Sequence, residues 1–220
     1  MMKEEKKYLE LENSSAIQLS RIPLLKEAEF RDTLIKLCSE RALRLSSLFA
    51  VPSEEGNFSV LAIISDDKRG VLNLFSMPVD KTFNSMALEC PQASLFEREI
   101  AEQFGIIPVG HPWLKPLRFH RSYLENRDAW GRSNDEELLP AVTDFYRVEG
   151  KDVHEVAVGP VHAGIIEPGH FRFQCHGEVV FNLEIALGFQ HRGIEKSLKG
   201  GPDKKTNHLI ETIAGDTSIG

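Results

Sequence analysis

Gln92-Ala93-Ser94-Leu95-Phe96-Glu97-Arg98-Glu99-Ile100-Ala101-Glu102-Gln103-Phe104-Gly105 is the stretch from which the fold can be read. Leu95, Phe96, Ile100 and Phe104 recur at helical spacing, and Pro91 and Gly105 punctuate the two ends. An amphipathic helix over 92–104 follows, stopped by its glycine. Glu97, Arg98, Glu99 and Glu102 stand at i, i+3 and i+4 offsets. They read either as a solvated charged face or as a docking surface for a partner, each ion pair contributing a few tenths of a kcal/mol.

Working upstream, Leu48 to Val51, Phe58 to Ile64 and Val71 to Met77 are β-prone runs separated by Gly56-Asn57 and by Asp66-Asp67-Lys68-Arg69-Gly70, which predicts a meander. Leu25, Ala28, Leu34, Leu37, Cys38, Leu45 and Leu48 recur at helical spacing and predict a helix from Leu24 to Phe49. Residues 1–20 are polar and charged without a clear apolar period, a frayed or partly ordered lead-in. The whole is a compact α+β unit of about 100 residues.

Downstream, from His111 to Gly150, proline, aromatic and charged residues alternate without period (Pro112, Trp113, Pro116, Tyr123, Trp130, Pro140). A solvated linker would not carry two Trp, so the segment reads either as an extended connector that lies against something or as a long loop folded back on its own domain. Beyond Val156, Phe171 and Phe173 alternate with Arg172 and Gln174. Gly177-Glu178 makes a turn, and Val179, Phe181, Leu183, Ile185 and Leu187 alternate with polar residues, so a hairpin with one apolar face is expected. Asn207 to Ile213 reads as the first turns of a helix.

Composition narrows the function. The 220 residues carry 26 Lys plus Arg against 33 Asp plus Glu, a formal charge of -7, which leaves no basic footprint for nucleic acid. No apolar run is long enough to span a bilayer, and the charged N-terminus lacks the apolar stretch of a secretory signal, so a cytoplasmic location without direct membrane insertion is expected. Cys38, Cys90 and Cys175 are odd in number and far apart, which disfavours a disulfide framework, a zinc ribbon and a cysteine-ligated cluster. They read as buried free thiols.

Six of the eight histidines fall in the last 70 residues, and there the chemistry concentrates. Gly159-Pro160-Val161-His162-Ala163-Gly164-Ile165-Ile166-Glu167-Pro168-Gly169-His170 is a loop presenting two histidines and a carboxylate, and the hairpin returns His191 and Arg192 to the same end of the sheet. Glu167, flanked by Ile165, Ile166 and Pro168, is expected to be desolvated and so suited to relaying protons. A metal is the rival reading, weakened because the spacing is not that of paired histidines on a helix. The third reading has histidines capping turns and Glu167 paired to Arg192 or Lys196.

At this point a resemblance becomes specific. Residues 91–118, with their E-R-E, F-G-I and G-H-P elements, resemble the signature of the 30-kDa (C-type) component of respiratory complex I. Residues 159–196, with G-P-V-H, G-H-F-R-F, G-E-V-V and H-R-G-I-E-K, resemble the opening of the 49-kDa (D-type) component of complex I and of the related large subunits of membrane-bound nickel–iron hydrogenases. A C-like part followed by a D-like part in one chain is similar to the large subunits of formate-hydrogenlyase-type, energy-converting hydrogenases. The resemblance implies a ferredoxin-like α/β domain over 21–118, a connector over 119–153 and the β-rich start of a D-like domain over 154–220, the beginning of a longer protein.

What it implies for sites follows residue by residue. Glu97, Arg98, Glu99 and His111 belong to the motif region taken as a docking surface for other subunits, and His191, Arg192 and Glu195 to the H-R-G-I-E-K motif. His162, Glu167 and His170 form the redox-site loop, with Glu167 similar to the hydrogenase proton-relay glutamate. Complex I has a second loop histidine that contacts quinone, and this sequence has no clean counterpart, although a quinone ligand stays open. The hydrogenases bind nickel through E-R-x-C-G-x-C; here Ala214 and Thr217 stand where the two cysteines should be, which speaks against a Ni-Fe centre in this chain. The implied protein is a peripheral subunit on the cytoplasmic face of the cell membrane. It would sit beside an iron–sulfur small subunit carrying a 4Fe-4S cluster and beside membrane-embedded subunits, coupling electron arrival to proton movement without evolving hydrogen; alone, this segment is expected to be inactive. The alternatives are an NADH:quinone oxidoreductase C/D-type subunit and a structural assembly subunit with no redox role.

Overall fold

Leu9 and Leu11 alternate with Glu10 and Glu12, and of the two readings of the lead-in this run takes the ordered one, as strand β1 (Leu9–Glu12). The computed structural model describes residues 7–53, 57–118, 120–122, 124, 127–133, 135, 145–198 and 200–214. The chain divides into two compact units, Met1–Glu136 and Glu137–Gly220.

In the first unit, β1 is followed by a 3-10 turn at Leu19–Arg21 and by α1 (Glu27–Ile35), which continues as a π-helical turn over Lys36–Glu40. The predicted helix ran to Phe49, but the chain instead leaves the turn through Ala42, whose φ of 53° is left-handed, and enters β2 (Arg44–Pro52). The misreading has a physical cause. A bulge between Leu45 and Ser47 inserts a residue into β2, so the buried Leu45 and Leu48 lie three apart, as they would on a helix.

The predicted meander is present as β2, β3 (Phe58–Asp66) and β4 (Val71–Val79), antiparallel, with β1 paired to the far edge of β4. The sheet order is β1-β4-β3-β2. Its strands bury both faces. Val60, Ala62, Ile64, Phe75 and Met77 pack with Phe30, Leu34 and Leu37 of the α1 segment and with Ile100, while Leu61 and Leu74 pack on the other side with Ile22. Burying one such large side chain contributes about 2–3 kcal/mol, and Phe30 against Phe75, with ring centroids 4.9 Å apart, sits at the centre.

β5 (Thr82–Asn84) leads to a 3-10 turn at Pro91–Ala93 and to α2 (Ser94–Phe104). As expected, Gly105 ends α2: at φ 66° it adopts the left-handed cap and donates its N–H to Ala101 O at 3.0 Å. β6 (Ile107–Val109) then pairs with β5 in parallel, a pairing too short to be announced by periodicity.

The second unit is a three-stranded antiparallel sheet, β7 (Val153–Val158), β8 (His170–His176) and β9 (Val179–Ala186), in the order β7-β8-β9. Two short helices follow, α3 (Ile194–Ser197) and α4 (Thr206–Glu211), the second where helical spacing placed it. Among the described residues no helix is long and apolar enough to cross a membrane.

Candidate functional site

Helix α2 carries the E-R-E motif, and its two faces do different work. At 100° per residue Glu97, Ile100, Ala101 and Phe104 fall on one side and Arg98, Glu99 and Glu102 on the other. The expectation of a single solvated charged face therefore fails at two positions, because Glu97 and Glu102 are both fully buried.

Glu97 lies in the apolar side of the helix. Its carboxyl accepts hydrogen bonds from Ser85 Oγ at 2.5 Å and from Met86 N at 2.7 Å. Burial nevertheless dominates and pushes its pKa up to about 7, with the Ser85 and Met86 bonds opposing the rise.

The opposite side of α2 grips the returning chain. Arg98 donates from Nε to Lys115 O at 2.9 Å and from Nη2 to Pro116 O at 2.8 Å. Glu99 pairs with Arg118, whose Nε lies 2.9 Å away. Glu102 accepts from the backbone N–H groups of Leu117 and Arg118 at 2.9 and 2.8 Å and from Arg132 Nη2 at 2.9 Å. Arg132 is held in turn by Asp128 at 2.7 Å and lies over the ring of Trp130. Ser122 Oγ donates to Gln103 O at 2.7 Å.

His111 adds a staple: one ring nitrogen lies 3.1 Å from Ser94 O, and the other accepts Trp113 N–H at 3.0 Å. That pattern fixes the neutral tautomer, and burial holds its pKa below the ordinary range. Of the two readings of the connector, the described part over 111–133 follows the one in which it folds back on its own domain. Tyr123 and Pro140 lie outside the described residues. Glu102 is the residue whose role helical spacing alone did not reveal.

In the second unit the loop between β7 and β8 closes on itself. Gly159 has φ +88°, and a Cβ there would stand 2.2 Å from Gly169 O and 2.7 Å from His162 Nε2, so only glycine fits. His162 Nε2 donates to Gly169 O at 2.7 Å, and Gly169 N–H bonds Pro160 O at 3.1 Å. The Gly159-Pro160 peptide is cis. His170 is buried, with Nδ1 3.3 Å from Gly159 O and the Phe145 ring 5.4 Å from its own. Its Nε2 is buried without a hydrogen-bond partner among the described residues.

Glu167 does not sit in an apolar pocket of this chain. It is exposed, and so are Ile165 at 84% and Ile166 at 55%, because the loop's turn conformation points them outward. Val158 pairs with Phe171 and His170 with Ala186, so the 159–169 loop and the segment after β9 leave the sheet at one end, as expected for His191 and Arg192. Arg192 donates to Ile213 O at 3.0 Å; His191 and Glu195 are exposed.

The polarity of this sheet is inverted. Val156, Val158, Phe171, Phe173, Leu183 and Ile185 share one face by register, and Leu183 and Ile185 are 45% and 53% exposed. The other face carries Glu155, Arg172, Gln174 and Glu184, and the chain covers it in part: Gln174 is buried, Arg172 and Glu184 are half-buried and Glu155 is exposed. Tyr146 N–H bonds Glu184, Gln174 Nε2 bonds Tyr146 O at 3.2 Å, and Phe145 lies over Arg172. Desolvation raises the Glu155 carboxyl, but the hydrogen bonds from Gln174 and Arg172 together outweigh it and hold the group below the ordinary carboxylate range.

No set of three His, Cys, Asp or Glu side chains converges as metal ligands among the described residues. A nickel site of the hydrogenase kind does not fit what is present: Ala214 has no donor atom, and Cys38, Cys90 and Cys175 lie buried in elements remote in sequence. Thr217 lies outside the described residues.

Comparison with known proteins places this geometry among relatives. Residues 24–128 match the family described as respiratory-chain NADH dehydrogenase, 30 Kd subunit. The chain is 33% identical over 129 residues to hydrogenase-4 component G of Escherichia coli (strain K12), covering 53% of this chain and 22% of that one. Formate hydrogenlyase subunit 5 of the same organism is 29% identical over 159 residues, covering 64% and 27%. The C/D subunit of the NADH-quinone oxidoreductase of Bacteroides thetaiotaomicron is 26% identical over 125 residues, covering 47% and 24%. The chain thus matches about a quarter of the length of each of these relatives.

Proposed function

Since residues 24–128 are a domain of the 30-kDa NADH dehydrogenase family, we propose that the protein works as a subunit of a membrane-associated, multi-subunit redox complex of the hydrogenase and complex I kind. The observation that carries the reading is the inverted sheet of the second unit. A sheet that partly covers its polar face with its own chain and leaves Val156, Val158, Leu183 and Ile185 exposed is built to be buried by more protein. The relatives named as components or subunits of such complexes support it.

The subunit is peripheral on the cytoplasmic face of the membrane, beside an iron–sulfur subunit that carries the 4Fe-4S cluster and beside membrane-embedded subunits. The Glu167 loop with His162 and His170 moves protons as electrons arrive, His191, Arg192 and Glu195 position that end of the sheet, and no nickel is bound. Arg98, Glu99 and His111 act in docking through the loop they hold rather than by direct contact, and Glu97 acts from within the domain. Replacing Leu183 and Ile185 together by Lys is expected to strip partner subunits from the purified complex while the chain stays folded; full retention of partners refutes the subunit role of this face. Glu167→Gln is expected to lower proton-coupled turnover without loss of assembly, and unchanged turnover leaves the structural assembly role. Stoichiometric nickel in the full-length protein overturns the nickel-free reading.

The match to a C/D subunit of an NADH-quinone oxidoreductase favours a second reading, quinone reduction at the same loop. Reduction of a quinone analogue that is lost on changing His162 selects it.

A further inference from the structure

His111 ties the chain that leaves β6 to the start of α2. Trp113 N–H can only donate, so Nδ1, which takes it at 3.0 Å, is the unprotonated nitrogen. Nε2 carries the proton and meets Ser94 O at 3.1 Å, and Ser94 is the first residue of α2. Pro112, between ring and tryptophan, has no N–H, so Trp113 offers the first backbone donor after the ring.

The stretch held by this bond is short and anchored on both sides. His111 N–H bonds Pro108 O at 3.3 Å, and Arg98 grips Lys115 O and Pro116 O at 2.9 and 2.8 Å. Pro112 and Trp113 lie exposed between the anchors, with Lys115 Nζ 5.1 Å from the centre of the Trp113 ring, so they can move without opening the core.

We propose that His111 is an acid-sensitive latch: protonation of Nδ1 removes the acceptor of Trp113 N–H, the ring turns to water, and the 112–114 stretch swings off the start of α2 while both anchors hold. The latch belongs to the chain itself and operates with or without partner subunits.

The surroundings favour opening. A protonated Nδ1 would set one N–H against another. The ring also sits at the N-terminal end of α2, where the helix carries partial positive charge. Burial and the charge of Arg98 disfavour the cationic ring in place, and the bond to Ser94 opposes them without prevailing. Lys115 adds a second cation beside Trp113. Of the carboxylates in this part of α2, Glu97 is turned to the core and Glu99 is paired with Arg118, so neither compensates the ring.

Trp113 and Trp130 are the two tryptophans of the sequence, so the full chain carrying Trp130→Phe reports on Trp113 by its fluorescence. As pH falls from about 7.5 to about 4.5, emission is expected to move to longer wavelength in a reversible one-proton step with its midpoint below 6.5, the far-ultraviolet circular dichroism staying unchanged. Glutamine can donate and accept as the neutral ring does but does not titrate, so His111→Gln is expected to abolish the step. No step in the parent chain, the same step in His111→Gln, or a step that coincides with loss of secondary structure overturns the proposal. Where His111→Gln fails to fold, nitrogen-15 NMR of the His111 ring decides: its titration must share the midpoint of the fluorescence step, and a different midpoint or no titration overturns the latch.

Discussion

Glu97 is a carboxylate on the core side of α2, fully buried and with its pKa raised by burial to about 7. A raised carboxylate pKa means that the folded protein binds a proton more tightly than the unfolded chain, whose glutamate titrates near 4.5. The contribution of Glu97 is therefore fully favourable below pH 4.5 and is lost as pH rises through about 7, a change of roughly 3 kcal/mol. Urea titrations from pH 4 to 8 check this: relative to Glu97→Gln, the protein is expected to lose about that much stability over the interval, and parallel curves would reject it. The sequence reading sets Glu97 on a charged face with Arg98, Glu99 and Glu102, yet its i, i+3, i+4 and i+7 spacing to Ile100, Ala101 and Phe104 also fits the apolar stripe, and packing decides for the stripe at Glu97. Its partners were not legible, because Ser85 and Met86 come from a turn whose path depends on the β5–β6 pairing.

At the scale of elements, α2 is held on both sides, by the sheet and by the 115–132 segment. Glu102 accepts three hydrogen bonds, two from backbone and one from Arg132, whose side chain is only 16% exposed. Glu102→Ala leaves a buried guanidinium with Asp128 alone and orphans two N–H groups, and it is expected to cost about 3–5 kcal/mol in a urea titration. It is also expected to speed hydrogen exchange at Leu117 and Arg118; a loss below about 1 kcal/mol with unchanged exchange would show that the clamp carries little. Glu99 is a different case: it pairs with Arg118 at a third exposed, where solvent weakens the pair. Strand β2 shows why elements were harder to read than residues. Its bulge gave Leu45 and Leu48 a helical spacing, and only pairing with β3 distinguishes a bulged strand from a helical stripe.

For the whole molecule, the two units differ in how they use apolar surface. The first buries both faces of its sheet, whereas the second exposes Val179, Phe181, Leu183, Ile185 and Leu187 at 45–65%. The isolated chain is expected to bind an apolar dye such as ANS through the second unit and to self-associate with rising concentration. Lysine at Leu183 and Ile185 is expected to abolish both without changing the far-ultraviolet circular dichroism. Dye binding that survives the double change would place the apolar surface elsewhere.

The amino-acid sequence by itself determined helix α2, the meander, the glycine that stops α2, the hairpin turn at Gly177-Glu178 and the motifs shared with the hydrogenase and complex I relatives. These depend on spacing and turn chemistry, which are local. Only the tertiary structure decided that Glu97 and Glu102 are buried, that the described part of the 111–133 segment is bound to α2, and that Glu167 and the apolar face of the second sheet are exposed. Burial is a property of what packs against a residue, and those neighbours lie up to tens of positions away along the chain.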